Sequence, residues 1–176
     1  MTSLREELER IVNGVTVQIT DHPQTIRRLK SRHPHSIQHV DECFGRPFNC
    51  FAYALGIAES ESIYDLLYRD AERRVPLGVK VGAEFVVRLI EKRMLVEDSD
   101  GIALVYFRSD RPVHAGILDG GRVISKWGMG HLWNHDEWEV PISYGGKTVR
   151  YGSATVSAIE EEFARYAAGL GHTDRF

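Results

Sequence analysis

The stretch VHAGILDGGRVISKW, residues 113–127, leaves the chain less freedom than any other. Two apolar and β-branched runs, VHAGIL (113–118) and RVISKW (122–127), flank Asp119-Gly120-Gly121. Adjacent glycines supply the positive φ that a two-residue hairpin turn demands, so this stretch predicts a β-hairpin. Such a turn pairs residue 118 with 123 and 114 with 127. Alternation then sets His114, Gly116 and Leu118 on one face and Val113, Ala115 and Ile117 on the other.

A sheet grows around this hairpin. IALVYF (102–107) is a continuous apolar run between the turn signals EDSDG and SDRP, which predicts a central strand. Residues 147–151 add another strand, and 155–170 an amphipathic helix. Upstream the period is helical. Residues 4–12 predict a helix, with Ser3 and Glu6 at capping-box spacing. Pro47 suits a first helical turn, and FAYALGIA continues as a buried helix weakened by Gly56. Ser62 and Asp65 open a further helix to about Arg74. Residues 80–96 form the next, with Val81, Phe85 and Leu89 at four-residue steps.

Residues 21–42 are polar, basic and rich in histidine, and Pro23 and Pro34 predict loop with at most one helical turn. Helices followed by an antiparallel meander argue for an α+β fold. The 176 residues suit one domain: an N-terminal helix and basic loop (1–42), a core (43–154), and a C-terminal helix and tail (155–176).

Composition excludes several classes. The apolar fraction is 43% and the charged fraction 27%, as in ordinary globular proteins. A net charge of −3 gives no general basic surface for nucleic acid. No apolar run reaches membrane-spanning length, and MTSLREELER lacks the apolar core of a signal peptide. Cys43 and Cys50 are too few for a disulfide framework, so reduced thiols and a cytoplasmic location are expected. Oligomeric state is not legible.

Cys50 carries the chemical question. Free cysteine is among the most buried residue types, so plain packing is the bland reading. Its position at the start of a helix argues otherwise, because unpaired N–H groups there favour the thiolate. His114 has a bland reading too, as a satisfied core histidine. Gly116, two residues on, marks a place where a backbone or a substrate can approach closely. A thiolate and a facing imidazolium stabilise each other, and together they can attack a carbonyl and protonate the leaving amine.

FNCFAYALG followed by HAGILDGGRVISKWG resembles the NlpC-type branch of papain-like cysteine peptidases and amidases. The likeness covers about residues 46–56 and 101–128. It implies N-terminal helices packed on a small antiparallel sheet, a nucleophilic cysteine opening a helix, a histidine beginning the second strand, and no cofactor. Asn49-Cys50 stands where that family usually has Asp-Cys. Its third residue, which orients the histidine, lies on the strand after the hairpin, where this chain has Ser125, Lys126 and Trp127. Ser125 falls diagonal to His114 on its face and has an acceptor oxygen; Lys126 has none. A loop residue, His131, Asn134 or His135, is the alternative orienter.

The expectation is therefore a cysteine-dependent hydrolase or acyltransferase acting on an amide, peptide or isopeptide carbonyl, with Cys50, His114 and Ser125 as its catalytic group. Trp127, Trp133 and Trp138 are expected to wall the substrate cleft from an aromatic-rich loop. Two alternatives stand beside it. One is an inactive papain-like scaffold used as a binding or regulatory module. The other is a small zinc protein built on His131 and His135, which stand four apart; His33, His35, His39 and Cys43 make a weaker cluster with no standard spacing. The patch Arg27, Arg28, Lys30 and Arg32 reads as a solvated loop. Tyr144-Gly145-Gly146 reads as a turn.

Overall fold

The structure, a computed structural model, describes residues 2–42, 48–60, 63 and 80–170. Cys43, Pro47 and, apart from Ile63, the helix expected over 62–74 lie outside the described residues.

Helix α1 (Leu4–Val12) begins where Ser3 and Glu6 predict, and both halves of the capping box form. The basic stretch after it is more regular than its prolines suggest. Helix α2 spans His22–Leu29, with Pro23 in its first turn, where a missing N–H removes no hydrogen bond. Strand β1 follows at Gln38–Asp41.

Helix α3 is short, Cys50–Ala54. Gly56 ends it rather than weakening it. With φ of +73° it sits in the left-handed region, Gly56 N–H reaches Tyr53 O and Ile57 N–H reaches Ala52 O, both at 3.0 Å. That is a Schellman stop. Helix α4 (Ala83–Glu91) is also shorter than the periodicity over 80–96 implies. It closes the same way, here with Arg93 at φ +56° and Met94 N–H on Leu89 O, and the chain turns into strand β2 (Leu95–Glu97).

The remaining strands are β3 (Ala103–Arg108), β4 (Arg111–Asp119), β5 (Arg122–Lys126), β6 (Leu132–His135) and β7 (Lys147–Ser153). Helix α5 (Val156–Gly169) closes the described chain, capped by Thr155. The strands form one antiparallel sheet in the order β1-β6-β5-β4-β3-β7-β2, so β3 is interior and the short β1 and β2 are the edges. The α+β class stands. The segment read as an aromatic loop contains β6.

Both faces of this sheet are covered. Ala103, Val105 and Ala115 pack with Phe51 of α3, Phe85 and Leu89 of α4, and Phe163 of α5. Leu104, Tyr106, Val123, Trp127 and Trp133 pack with Leu8 and Ile11 of α1 and Ile26 and Leu29 of α2. Residues adjacent along a strand serve opposite layers, as the pleat requires. Each fully buried aliphatic or aromatic side chain here stabilises the fold by roughly 1.5–3 kcal/mol.

Gly120 and Gly121 adopt φ of +56° and +81°, and Leu118↔Val123 pair as the turn chemistry predicts. The β4–β5 ladder stops at Ile117↔Ile124, however, so residue 114 has no partner at 127. On its other side β4 carries a register shift against β3 between Pro112 and His114, which leaves His114 opposite Tyr106.

Candidate active site

Asn49 is the N-cap of α3. Its side-chain oxygen accepts the Ala52 N–H at 3.0 Å and its amide donates to Val81 O at 2.6 Å. The Asn49 side chain is thus engaged in holding the helix start. Cys50 follows as the first helical residue and is half-buried. With only five residues α3 has a weak macrodipole, so the sulfur depends on individual donors. The backbone N–H groups of Ala115, Phe51 and Cys50 itself favour its thiolate, as does the positive charge of Lys126. Burial outweighs them all and pushes the thiol up to about 11.

Lys126 is buried. Its ammonium donates to Phe48 O at 2.7 Å and lies 4.5 Å from the centre of the Phe48 ring. It therefore shares the Cys50 side of the sheet. Next to Cys50 a surface cavity of about 490 Å³ opens, walled by Asn49, Lys80, Glu84, Arg108 and Arg111. Glu84 and Arg111 pair across it at 3.0 Å.

His114 leaves β4 on the opposite face from Ala115. Its ring stacks on Tyr144, with centroids 3.9 Å apart and planes at 19°, and lies 5.3 Å from the Tyr106 ring. Nε2 is buried without a hydrogen-bond partner. Burial, and then the neighbouring His135, hold the imidazole well below its usual pKa. No hydrogen bond joins it to the thiol. The two groups lie on opposite faces of β4: Cys50 packs in the layer of Ala115 and Phe51, and His114 in that of Tyr106 and Tyr144. The pair is neutral at rest, where the sequence suggested an ion pair.

Ser125 does not orient His114. Its hydroxyl lies 2.8 Å from His135 Nε2, and it accepts the Trp127 indole N–H at 3.0 Å. His135 Nδ1 faces the Asp136 carbonyl at 2.8 Å, so Nδ1 carries the proton and Ser125 donates to Nε2. This is the arrangement of a serine nucleophile with its base, but both residues are sealed in the core, and burial lowers His135 to about 4. His131 faces elsewhere: Nε2 donates to Ile19 O at 2.9 Å, and Nδ1 accepts from His39 Nε2 at 3.0 Å. Asn134 accepts from Arg122.

The aromatic wall is absent as read from sequence. Trp127 and Trp133 are buried, stacked at 5.2 Å in the second core, and only Trp138 is exposed. Gly116 is crowded by β5 itself. A Cβ there meets Val123 Cγ1 at 2.6 Å and Ile124 O at 2.9 Å, so the close approach is by the neighbouring strand and not by substrate. Among the described residues no group of three His, Cys, Asp or Glu side chains is placed to hold a metal ion, and no helix is long and apolar enough to cross a membrane.

Sequence reasoning missed Tyr106 and Tyr144, the two rings that hold His114. Tyr106 lay hidden in an apolar run and Tyr144 in a turn signal; the 3-10 turn at Ile142–Tyr144 carries the latter inward, where its hydroxyl accepts the Gly128 N–H at 3.0 Å. In comparisons with known proteins, no family model, curated protein or solved structure matches this chain, so the likeness described above rests on its own short motifs.

Proposed function

We propose that the protein is a cysteine-dependent hydrolase or acyltransferase acting on an amide, peptide or isopeptide carbonyl, with Cys50 as nucleophile and His114 as its proton acceptor and donor. One observation carries this reading: the Cys50 thiol opens a helix on the wall of a surface cavity. The resting pair is neutral, so the thiol proton passes to the imidazole as the S–C bond forms. The imidazolium then gives that proton to the leaving amine as the C–N bond breaks. Water, or an acceptor amine, cleaves the thioester and restores the thiol. The N–H groups of Cys50 and Phe51 are candidates to receive the carbonyl oxygen.

A second reading is favoured by the orphaned His114 Nε2 and by Ser125 being committed to His135: a papain-like scaffold retained for binding. p-Nitrophenyl acetate separates the two. The enzyme reading predicts a burst of nitrophenol with the acetyl group on Cys50 by mass spectrometry, none in Cys50→Ala, and a burst slowed on the order of 100-fold in His114→Ala. An intact, folded protein that takes no acetyl group on Cys50 supports the scaffold and ends the enzyme reading.

A further inference from the structure

Three imidazoles from three segments meet beside one edge of the sheet. His22 opens α2, His39 lies on β1, and His131 directly precedes β6. His22 and His131 are buried and His39 is exposed. The His131 ring centre is 4.8 Å from that of His39 and 6.2 Å from that of His22. The Trp133 ring packs edge-on against His39 and His131, at 5.4 and 5.8 Å.

His131 Nε2 faces the Ile19 carbonyl at 2.9 Å, an oxygen that can only accept, so Nε2 carries a proton. In the neutral ring Nδ1 is then a lone pair, and His39 Nε2, at 3.0 Å, donates to it. A second proton on His131 has to sit on Nδ1, where it sets two donors against each other. The bond is then lost, and a positive charge stands beside two further imidazoles. This bond ties β1 to the body of the fold where the ladder is thin. β1 pairs with β6 over Gln38↔Asn134, His39↔Trp133 and Asp41↔Leu132, with a register shift between His39 and Asp41.

We propose that His39 and His131 form a proton-operated latch on the edge strand β1, closed in neutral solution and opened in acid when His131 Nδ1 takes up a proton. Burial, and then charge on His131, hold His22 and His39 below the ordinary histidine pKa. Asp21 opposes this at His22, and Glu42 and Asp41 oppose it at His39. A histidine outside the fold takes its proton from about 6.5. The latch is therefore closed above that pH and weakens as pH falls below it. It stands independently of any role for Cys50.

Amide hydrogen exchange, expressed as protection relative to each residue's intrinsic rate, tests this at pH 7.5 and 5.0 in wild type and in two variants of the exposed His39. An edge strand opens without global unfolding, so its exchange reads the latch rather than the stability of the whole chain. In wild type the protection of the β1 amides bonded to β6 is expected to fall about tenfold on acidification, as for one hydrogen bond lost. His39→Gln should abolish that fall, because a side-chain amide can turn either its donor or its acceptor to His131. His39→Leu should leave β1 weakly protected at both pH values. Leu104 and Val105 of β3 report at pH 7.5 that each variant keeps its fold. Equal β1 protection at the two pH values in wild type, an undiminished fall in His39→Gln, or wild-type protection in His39→Leu at pH 7.5 would each overturn the proposal.

Discussion

The Cys50 sulfur packs in the same layer as Ala115, so the nucleophile candidate sits on the face of β4 opposite to that of His114. The Ala115 amide N–H favours a thiolate, as does Lys126, but the surrounding protein disfavours charge more strongly. The resting thiol is therefore protonated at neutral pH.

Alkylation should show this. In a Cys43→Ser background, iodoacetamide is expected to modify Cys50 very slowly at pH 6–7, with a rate rising about tenfold per pH unit toward a plateau near 11. Lys126→Met removes a charge that favours thiolate, so its inflection moves higher still. The same shift weakens the fold in alkali: the unfolded thiol ionises from about 9.0 and the folded one near 11, so stability present below 9 is lost as pH rises between them. Fast labelling at pH 6 would show that the sulfur is already ionised.

Acid should weaken the fold through His135. Burial holds this ring to about 4, with Arg122 adding to the effect while the Asp136 carbonyl, Glu139 and Asp136 oppose it. The unfolded chain takes up the proton first, from about 6.5. Stability is thus lost as pH falls from that value toward 4, by on the order of 2 kcal/mol between pH 7 and 5. Urea denaturation at the two pH values measures it, and His135→Asn should flatten the dependence. An equal slope in the variant would assign the effect to another group; His114, lowered by burial and by His135, is the next candidate.

Gly116→Ala should cost about 1–3 kcal/mol, because its Cβ has to displace Val123, the Ile124 carbonyl and Ser125. Chemical denaturation would record this as a lower midpoint with an unchanged slope. A neutral result would mean that β5 gives way freely there.

Glu162 ties α5 to α4. Its buried carboxylate takes Arg88 Nε at 2.5 Å, Lys92 at 2.7 Å and Arg165 at 2.9 Å. Burial alone would raise its pKa, but the three cations bring it down to about 2. Glu162→Gln is expected to destabilise by about 1–2 kcal/mol at pH 7, since the cations are part-exposed and water replaces some of the loss. This contribution is present above about 4.5 and disappears as pH falls toward 2, so wild type and variant should converge in acid. A gap that persists undiminished in acid would point to packing.

What the sequence disclosed was what depends on near neighbours. Ser3 and Glu6 cap α1, Gly120 and Gly121 turn the hairpin, and the run around Leu104 and Val105 is interior strand, all by contacts a few residues apart. Pro23 misled because a proline reads as a breaker wherever the first helical turn is not recognised as such. Strand β6 was hidden because Leu132–His135 is short and follows two glycines. The surroundings of His114 were beyond reach for another reason. They depend on where the β4–β5 ladder ends, on a register shift at Pro112, and on Tyr144 folding back from thirty residues downstream.

The two outermost strands, β1 with four residues and β2 with three, have a consequence for the molecule among its own copies. An exposed rim of a sheet is a template on which further chains can add, and its reach scales with the run of free backbone groups it presents. Among the described residues the seven-stranded sheet ends in strands of four and three residues, and aspartate and glutamate sit within them at Asp41 and Glu97. Self-association by strand addition, and the fibrils it leads to, are thereby discouraged.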